Sequence, residues 1–321
     1  MTIEIRRATA DDRPAILTLL ASSLGRDADP RYDALYAWKH EENAFGPSPA
    51  WVATDGDRIA AFRVLMRWEF LRGTEVVRAV RAVDTATHPD YQGQGLFTRL
   101  TLQGIDELRH DVAFVFNTPN DQSRPGYLKM GWQEIGRLPT AVRPTSLAGA
   151  SRIVTARVPA ERWSTPSSAG ENAADVLADG DALAALLESI PAAPGLSTHR
   201  SVEFLRWRYG TPLLAYRAIV APGGARQGVA FFRIRNRGSA REAALSDVIS
   251  AGGNRHTEAA LSRAVVRAAD ADYVLRLGGG PVAPGGLVRL PGQGPLLTWR
   301  AVGEATPPAR WDLTLGDIEL F

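Results

Sequence analysis

Gly93 and Gly95 stand where this chain could hold an anion. They follow a run rich in β-branched and small residues, Val80 to Thr87, and they precede a run with apolar positions at Leu96, Leu100, Leu102, Ile105 and Leu108. Glycine has no Cβ, so a turn built on it can bring backbone amides against a ligand. The unpaired first-turn amides of a helix and its positive dipole end favour negative charge, phosphate above all. The elements that must position such a site are therefore a strand ending at Thr87, a tight turn, and a helix starting at Gly95. His88-Pro89 ends the strand, because proline has no N–H and restricts the residue before it. The turn lacks the Gly-x-x-x-x-Gly-Lys-Ser/Thr of a P-loop and the third glycine of a dinucleotide fingerprint.

A second constellation lies downstream. Val112 to Asn117 is a short apolar strand, followed by Asn120-Asp-Gln-Ser-Arg-Pro-Gly-Tyr127-Leu-Lys-Met-Gly131-Trp132. The two stretches, in this order and with a helix and a strand between them, carry a family likeness. Gln92-Gly-Gln-Gly95-Leu-Phe97 resembles the pyrophosphate loop of the GCN5-related N-acetyltransferases, Gln/Arg-x-x-Gly-x-Gly/Ala, and His88-Pro-Asp-Tyr91 resembles their usual lead-in. The downstream stretch resembles the family's Asn-x-x-Ala-x-x-Phe-Tyr-Glu-Lys-x-Gly-Phe segment, with Asn120, Tyr127 and Gly131-Trp132 on the matching positions. Departures are Phe97 for Gly or Ala, Ser123 for Ala, and Gly126 for Phe. The enhanced-intracellular-survival type of these enzymes, which the loop also resembles, carries a large residue at the position of Phe97.

The resemblance implies an acetyl-CoA-dependent N-acetyltransferase and a set of roles. Backbone amides along Gln92, Gly93, Gln94, Gly95, Leu96, Phe97 and Thr98 would hold the pyrophosphate of coenzyme A. Pantetheine would lie between splayed strands, against backbone at Thr85, Ala86 and Thr87, where an amide near Ala86 or Thr87 would polarise the thioester carbonyl. Asn120 would bond the pantetheine arm, and Tyr127 would give its phenolic proton to the leaving thiolate. The amine must lose a proton before attack, since its free pKa lies near that of lysine, ~10. Asp84 is the first candidate base, and Glu69 acting through water and His88 are others. Arg310 to Phe321 is too apolar for a disordered tail, and the enhanced-intracellular-survival type uses its terminal carboxylate in the active site. Phe321 is a further candidate by that resemblance; an edge strand is the other reading of the tail. A coenzyme-binding module without transfer activity and a nucleotide-binding loop are the rival functions.

Composition bounds the rest. The chain has 321 residues, 45% of them hydrophobic and 22% charged, the profile of a globular protein of about two domains. Its formal net charge is +2, its arginines are scattered, and Lys39 and Lys129 are its only lysines, so nucleic-acid binding is not expected. No apolar run approaches a membrane span. Zero cysteines exclude thiol catalysis and disulfides, and fit a cytoplasmic setting. No metal is expected, and the acceptor is read as a small-molecule amine.

Thr2 to Ala8 reads as a first strand, Asp11-Asp12 before Pro14 as a helix start, and Tyr32 to Glu41 as a second helix. Ala50 to Thr54 and Arg58 to Glu69 form a hairpin, and Trp132 to Val142 reads as the last strand of the unit. Pro144 to Ser151 reads as a linker or crossover. The second half repeats this order: a helix at Phe204 to Tyr209, strands at Leu214 to Val220, Gln227 to Arg235 and Arg241 to Ile249, a helix at Glu258 to Ala269, and a strand at Tyr273 to Leu277. Ala251-Gly-Gly-Asn-Arg-His256 replaces the glycine loop there, and Gly278 to Gly280 reads as a turn. The expected fold is thus α/β (α+β): two tandem units, each a mixed, mostly antiparallel twisted sheet flanked by helices. Residues 1–145 form the expected catalytic domain and 151–321 a degenerate copy with a C-terminal tail.

Overall fold

Period-two apolar patterns dominate both halves of the chain, and they fold as two sheets with helices on their faces. The computed structural model describes residues 3–25, 29–155, 158–278 and 282–319. In chain order come β1 (Glu4–Arg7), α1 (Arg13–Ser23), α2 (Arg31–Tyr36), β2 (Ala50–Asp55), β3 (Arg58–Arg72), β4 (Glu75–Thr87), α3 (Leu96–Glu107), β5 (Phe114–Asn117), α4 (Arg124–Lys129), β6 (Gln133–Arg137) and β7 (Thr140–Pro144). There follow α5 (Leu147–Thr155), β8 (Glu171–Asn172), α6 (Ala173–Leu177), α7 (Gly180–Glu188), β9 (Leu196–Thr198), α8 (Val202–Gly210), β10 (Arg217–Val220), β11 (Gly228–Arg237), β12 (Ala240–Ser250), α9 (Arg255–Ala268) and β13 (Tyr273–Leu277). The last are β14 (Val282–Ala283), β15 (Leu287–Leu290), β16 (Leu296–Ala301), β17 (Trp311–Asp312) and α10 (Leu315–Ile318).

The first sheet runs β1-β2-β3-β4-β5-β16-β6. Its strands are antiparallel at β1–β2, β2–β3 and β5–β16, and parallel at β4–β5, where α3 makes the crossover. Alternation along the strands splits the core between two faces. Trp51, Leu65, Leu96, Leu100, Tyr127 and Trp132 are buried on one, and Ile16, Leu19, Val52, Phe62 and Val64 on the other. Gly104 lets α3 lie close to the sheet, since a Cβ there would come 2.9 Å from the Trp51 ring. Helix α2 runs on as a π-helical turn over Ala37–Glu41, a geometry that often marks functional sites.

The second sheet runs β14-β15-β7-β13-β12-β11-β10-β8. It repeats the plan: an antiparallel series from β10 to β12, then β13 parallel to β12 after the crossover α9. Phe232, Ile234, Leu245, Leu261, Val265 and Val274 are buried in its core.

The last strand of each sheet departs from expectation. Trp132 to Val142 is not one strand. It turns at Leu138-Pro139, so β6 lies in the first sheet while β7 pairs antiparallel with β13 in the second. The neighbour of β5 is instead β16, from far along the chain. The compact units are therefore not contiguous at 1–145 and 151–321. One contains the chain to Leu71, Glu75–Gly136 and Leu296–Ala309, and the other contains Arg137–Pro295 and the segment that starts at Arg310. Burial explains the split: β6 is mostly exposed, as an edge strand should be, whereas Thr140, Ala141 and Val142 are buried. Pro144 to Ser151 is not a linker either. Ser146 Oγ accepts from the Gly149 N–H at 3.0 Å and starts α5, and Gly149 lies so close to the Asp272 backbone that no side chain fits. The expected turn at Gly278 to Gly280 falls largely outside the described residues. Among the described residues, no helix is long and apolar enough to cross a membrane.

Candidate active site

The loop after β4 is built for exposed amides. Gly93 and Gly95 both take positive φ, +76° and +71°, which a side chain would resist. Gly95 is the N-cap of α3, and no side chain caps that helix. The first bond of the helix ladder runs from the Arg99 N–H to the Gly95 carbonyl at 3.0 Å, so the amides of Leu96, Phe97 and Thr98 precede it. Gln92 and Gln94 brace the turn itself, with their side-chain amides donating to the Thr87 and Asp90 carbonyls, each at 3.4 Å. Leu96 is buried in the core. The second unit shows the contrast. At the matching helix α9, the Asn254 side chain accepts from the amides of His256 and Thr257 at 2.9 and 3.2 Å. A built-in cap there takes the donors that an anion would need.

Strands β4 and β5 pair only at Ala79–Phe114, Val80–Val115 and Arg81–Phe116. Beyond Arg81 they diverge, and a cavity of about 560 Å³ opens between Ala82 to Thr87 on one side and the segment after Asn117 on the other. Of the expected site residues, Asp84, Thr85, Ala86, Thr87, Phe97, Asn120 and Tyr127 line it. Gln92, Gly93, Gln94, Gly95, Leu96 and Thr98 do not; they sit on the turn and helix start that follow β4. Asn120 Oδ1 accepts from the Ser123 N–H and from its hydroxyl, both at 2.9 Å, so this oxygen caps the turn into α4.

Tyr127 is buried among aromatics on α4, its ring edge-on to Phe97 at 5.4 Å between centroids and 5.0 Å from Trp132. Here two departures from the family pattern explain each other. A Cβ on Gly126 would come 3.0 Å from Cε1 of Phe97. The bulk missing at 126 is supplied by the ring at 97, which reaches the same space from α3. Gly126→Phe alone should overpack the site and lower the melting temperature, while Phe97→Ala/Gly126→Phe should recover most of the loss. A coupling of about 1–3 kcal/mol in a double-mutant thermal-melt cycle is expected, and additive effects would refute the exchange.

Asp84 takes φ of +36°, a rare conformation for a residue with a side chain. The irregular backbone turns its carboxylate toward the cavity and toward the buried side chains of Lys39 and His40. Oδ2 accepts from Lys39 Nζ at 2.7 Å and faces His40 Nε2 at 3.0 Å. His40 Nδ1 lies 3.1 Å from Ser48 Oγ. Lys39 and His40 both come from the π-helical turn, which thereby fixes one side of the site. Tyr36, edge-on to His40 at 4.9 Å, has its phenol pushed up to about 12, mainly by burial and secondarily by the charges of Glu41 and Asp84.

Sequence reasoning missed Lys39, His40 and Arg63. Arg63 on β3 is fully buried and donates from Nη1 to the Tyr127 oxygen at 3.0 Å. The scarcity of lysine was a usable signal for Lys39; nothing local marked Arg63. The other candidates for the base are not brought together with these. Glu69 lines a separate polar cavity of about 280 Å³ with Arg67 and Arg78. His88 Nδ1 accepts from the Asp90 N–H at 3.2 Å at the strand end, and His88 does not line the main cavity. Phe321 lies outside the described residues. Among the described residues, no group of three or more His, Cys, Asp or Glu side chains could hold a metal ion.

Comparison with known proteins bears on the domain and on the fold. Residues 4–135 match the acetyltransferase (GNAT) domain family. Among curated proteins, none matches the chain significantly. Solved structures do. A conserved protein from Enterococcus faecalis aligns with a TM-score of 0.65 at 10% identity, over 94% of this chain and 73% of that one. A GCN5-related N-acetyltransferase from Anabaena variabilis aligns at 0.64 and 12% identity, over 94% and 73%. Eis1 from Mycobacterium abscessus aligns at 0.57 and 14% identity, over 94% and 74%. At these identities the structures share the fold of both units.

Proposed function

From a chain whose residues 4–135 form an acetyltransferase domain of the GNAT family, and which is therefore an acyltransferase, we infer the transfer of an acetyl group from acetyl-CoA to the primary amine of a small molecule. The observation that carries this reading is the cavity between the diverging β4 and β5, next to a helix start whose amides no side chain caps. An uncapped, glycine-bounded helix start suits a pyrophosphate, and two strand edges without a shared ladder suit an amide-bearing arm laid between them. The amides from Gly93 to Thr98 hold the pyrophosphate. The backbone of Thr85 to Thr87 and the Asn120 amide nitrogen hold pantetheine, and an amide near Ala86 or Thr87 polarises the thioester carbonyl.

Transfer is direct, in a ternary complex, because the chain has no cysteine to carry an acyl group. Tyr127 donates its proton to the departing thiolate. Asp84, the only carboxylate among the described lining residues, takes the amine proton, with Lys39 and His40 holding it in place. The second unit, with its α9 amides capped by Asn254, has no part in coenzyme binding.

Thermal stability with and without acetyl-CoA tests the reading. At about 100 times Kd the ligand should add ~2.7 kcal/mol to the folded state. Gly95→Trp should lose this increment, measured against its own ligand-free melting temperature, which should be lower because a side chain at the positive φ of Gly95 costs about 1–2 kcal/mol. No upward shift of the wild type at millimolar acetyl-CoA would overturn coenzyme binding at this loop.

A further inference from the structure

Arg63 is out of place in the core that surrounds it. It stands on β3 directly across from Trp51, on the face that buries Leu65, Leu96 and Leu100. Its guanidinium lies 5.6 Å from the Phe97 ring centroid and 5.5 Å from that of Tyr127. Nη1 donates to the Tyr127 oxygen, but Nε and Nη2 have no partner among the described residues. A buried cation with unmet donors destabilises a fold, and an apolar side chain of similar volume is usually tolerated as well or better. Folding therefore gives no reason for an arginine here.

The chemistry at Tyr127 does. The phenol oxygen accepts from Arg63, so its own hydrogen is directed elsewhere, and Tyr127 lines the cavity. We propose that Arg63 is the positioning residue of the transfer step: it fixes the Tyr127 hydroxyl for donation and balances the charge left on its oxygen. This rests on the acid role of Tyr127 given above. The O–H bond of Tyr127 breaks as an S–H bond forms on coenzyme A. The electron pair stays on the phenolate oxygen, beside Nη1 of Arg63. The phenol regains a proton from solvent before the next turnover.

The test compares wild type, Arg63→Met, Arg63→Lys, Tyr127→Phe and Arg63→Met/Tyr127→Phe. Thiol release from acetyl-CoA is followed with the best substrate in a panel of primary amines, alongside acetyl-CoA affinity and melting temperature. Arg63→Met should melt at or above the wild-type temperature and bind acetyl-CoA within about twofold. Its kcat should fall about 10- to 100-fold, the effect of losing one charge-assisted hydrogen bond. Arg63→Lys should recover part of the rate, and the double variant should be no slower than Tyr127→Phe. If Tyr127→Phe is slow but Arg63→Met is not, the role of Arg63 falls and the acid stands. If Arg63→Met melts lower and its rate loss multiplies with that of Tyr127→Phe, Arg63 is structural and the proposal is overturned. If Tyr127→Phe keeps its rate, or no amine is turned over, the acid role falls and this proposal with it.

Discussion

Tyr127→Phe is expected to lower kcat by about 10²- to 10⁴-fold, the range of a lost general acid, while leaving the affinity for acetyl-CoA within about twofold. The substitution removes only an oxygen. The ring keeps its place between Phe97 and Trp132, so the cavity wall is unchanged. The leaving thiolate, without a donor, must then depart as an anion or take its proton from water. The variant also leaves Nη1 of the buried Arg63 without an acceptor, which should lower the melting temperature slightly. A steady-state assay of thiol release beside a direct binding measurement separates the outcomes. Loss of binding with an unchanged turnover number would make Tyr127 a wall of the cavity and nothing more. Unchanged values of both would favour a coenzyme-binding module that uses another acid or performs no transfer.

The second large effect is expected in the other unit and on stability alone. Glu242 on β12 is almost fully buried, and the side chains of Arg235, Arg237 and Tyr273 donate to it. Arg235 Nη2 lies 2.6 Å from Oε1, Arg237 Nε donates to Oε2 at 2.8 Å, and the Tyr273 hydroxyl donates to the same oxygen at 2.9 Å. Arg235 also pairs with Glu319, whose backbone carbonyl accepts from Arg208 Nη2 at 2.9 Å. Glu242→Ala removes the buried acceptor that two arginines share, and breaking such a buried network costs about 3–5 kcal/mol. For a unit of this size that is a drop of about 10 °C in its melting transition. Glu242→Gln, which keeps an acceptor, should lose less.

The pH dependence has a definite sign. Burial alone would push the Glu242 carboxyl up, but Arg235, Arg237 and the Tyr273 hydroxyl outweigh it and hold the group below its ordinary value. A depressed carboxyl contributes stability in full above its unfolded pKa, about 4.3, and loses it as pH falls through the lower folded value. The gap between wild type and Glu242→Ala should therefore be constant near neutrality and close below about pH 4. A gap that widens in acid would contradict the assigned charge state.

Local physics made much of the first unit readable from residue order. The strand into Thr87, the break at Pro89, the two glycines and the amphipathic α3 depend on neighbours within a few positions, so their pattern survives in one dimension. Asp84 was legible as a cavity residue because strand position alone puts it near the loop. Its positive φ and its pairing with Lys39 and His40 were not, because they depend on a π-helical turn some forty positions earlier in the chain. Pro144 to Ser151 read as a linker because small residues carry no periodicity. Its helix stands on the fit of Gly149 against Asp272, which only packing reveals.

By itself, then, the order of residues determined the kind of most elements around the loop, the loop that suits an anion, and the mixed, mostly antiparallel character of two sheets. Apolar alternation encodes which face of a strand is buried, and glycine and proline encode where a chain turns. It does not encode which strand lies alongside. Only the tertiary structure decided that Thr298 bonds to Asn117 across 181 positions, at 2.5 Å from Oγ1 to Oδ1, so that β16 rather than the continuation of β6 borders β5. Only it decided that Phe97 fills the space left by Gly126, and that a core position between aromatic rings holds an arginine aimed at Tyr127. Each of these is a contact between residues distant in the chain, and the energy of such a contact exists only once the chain has brought them together.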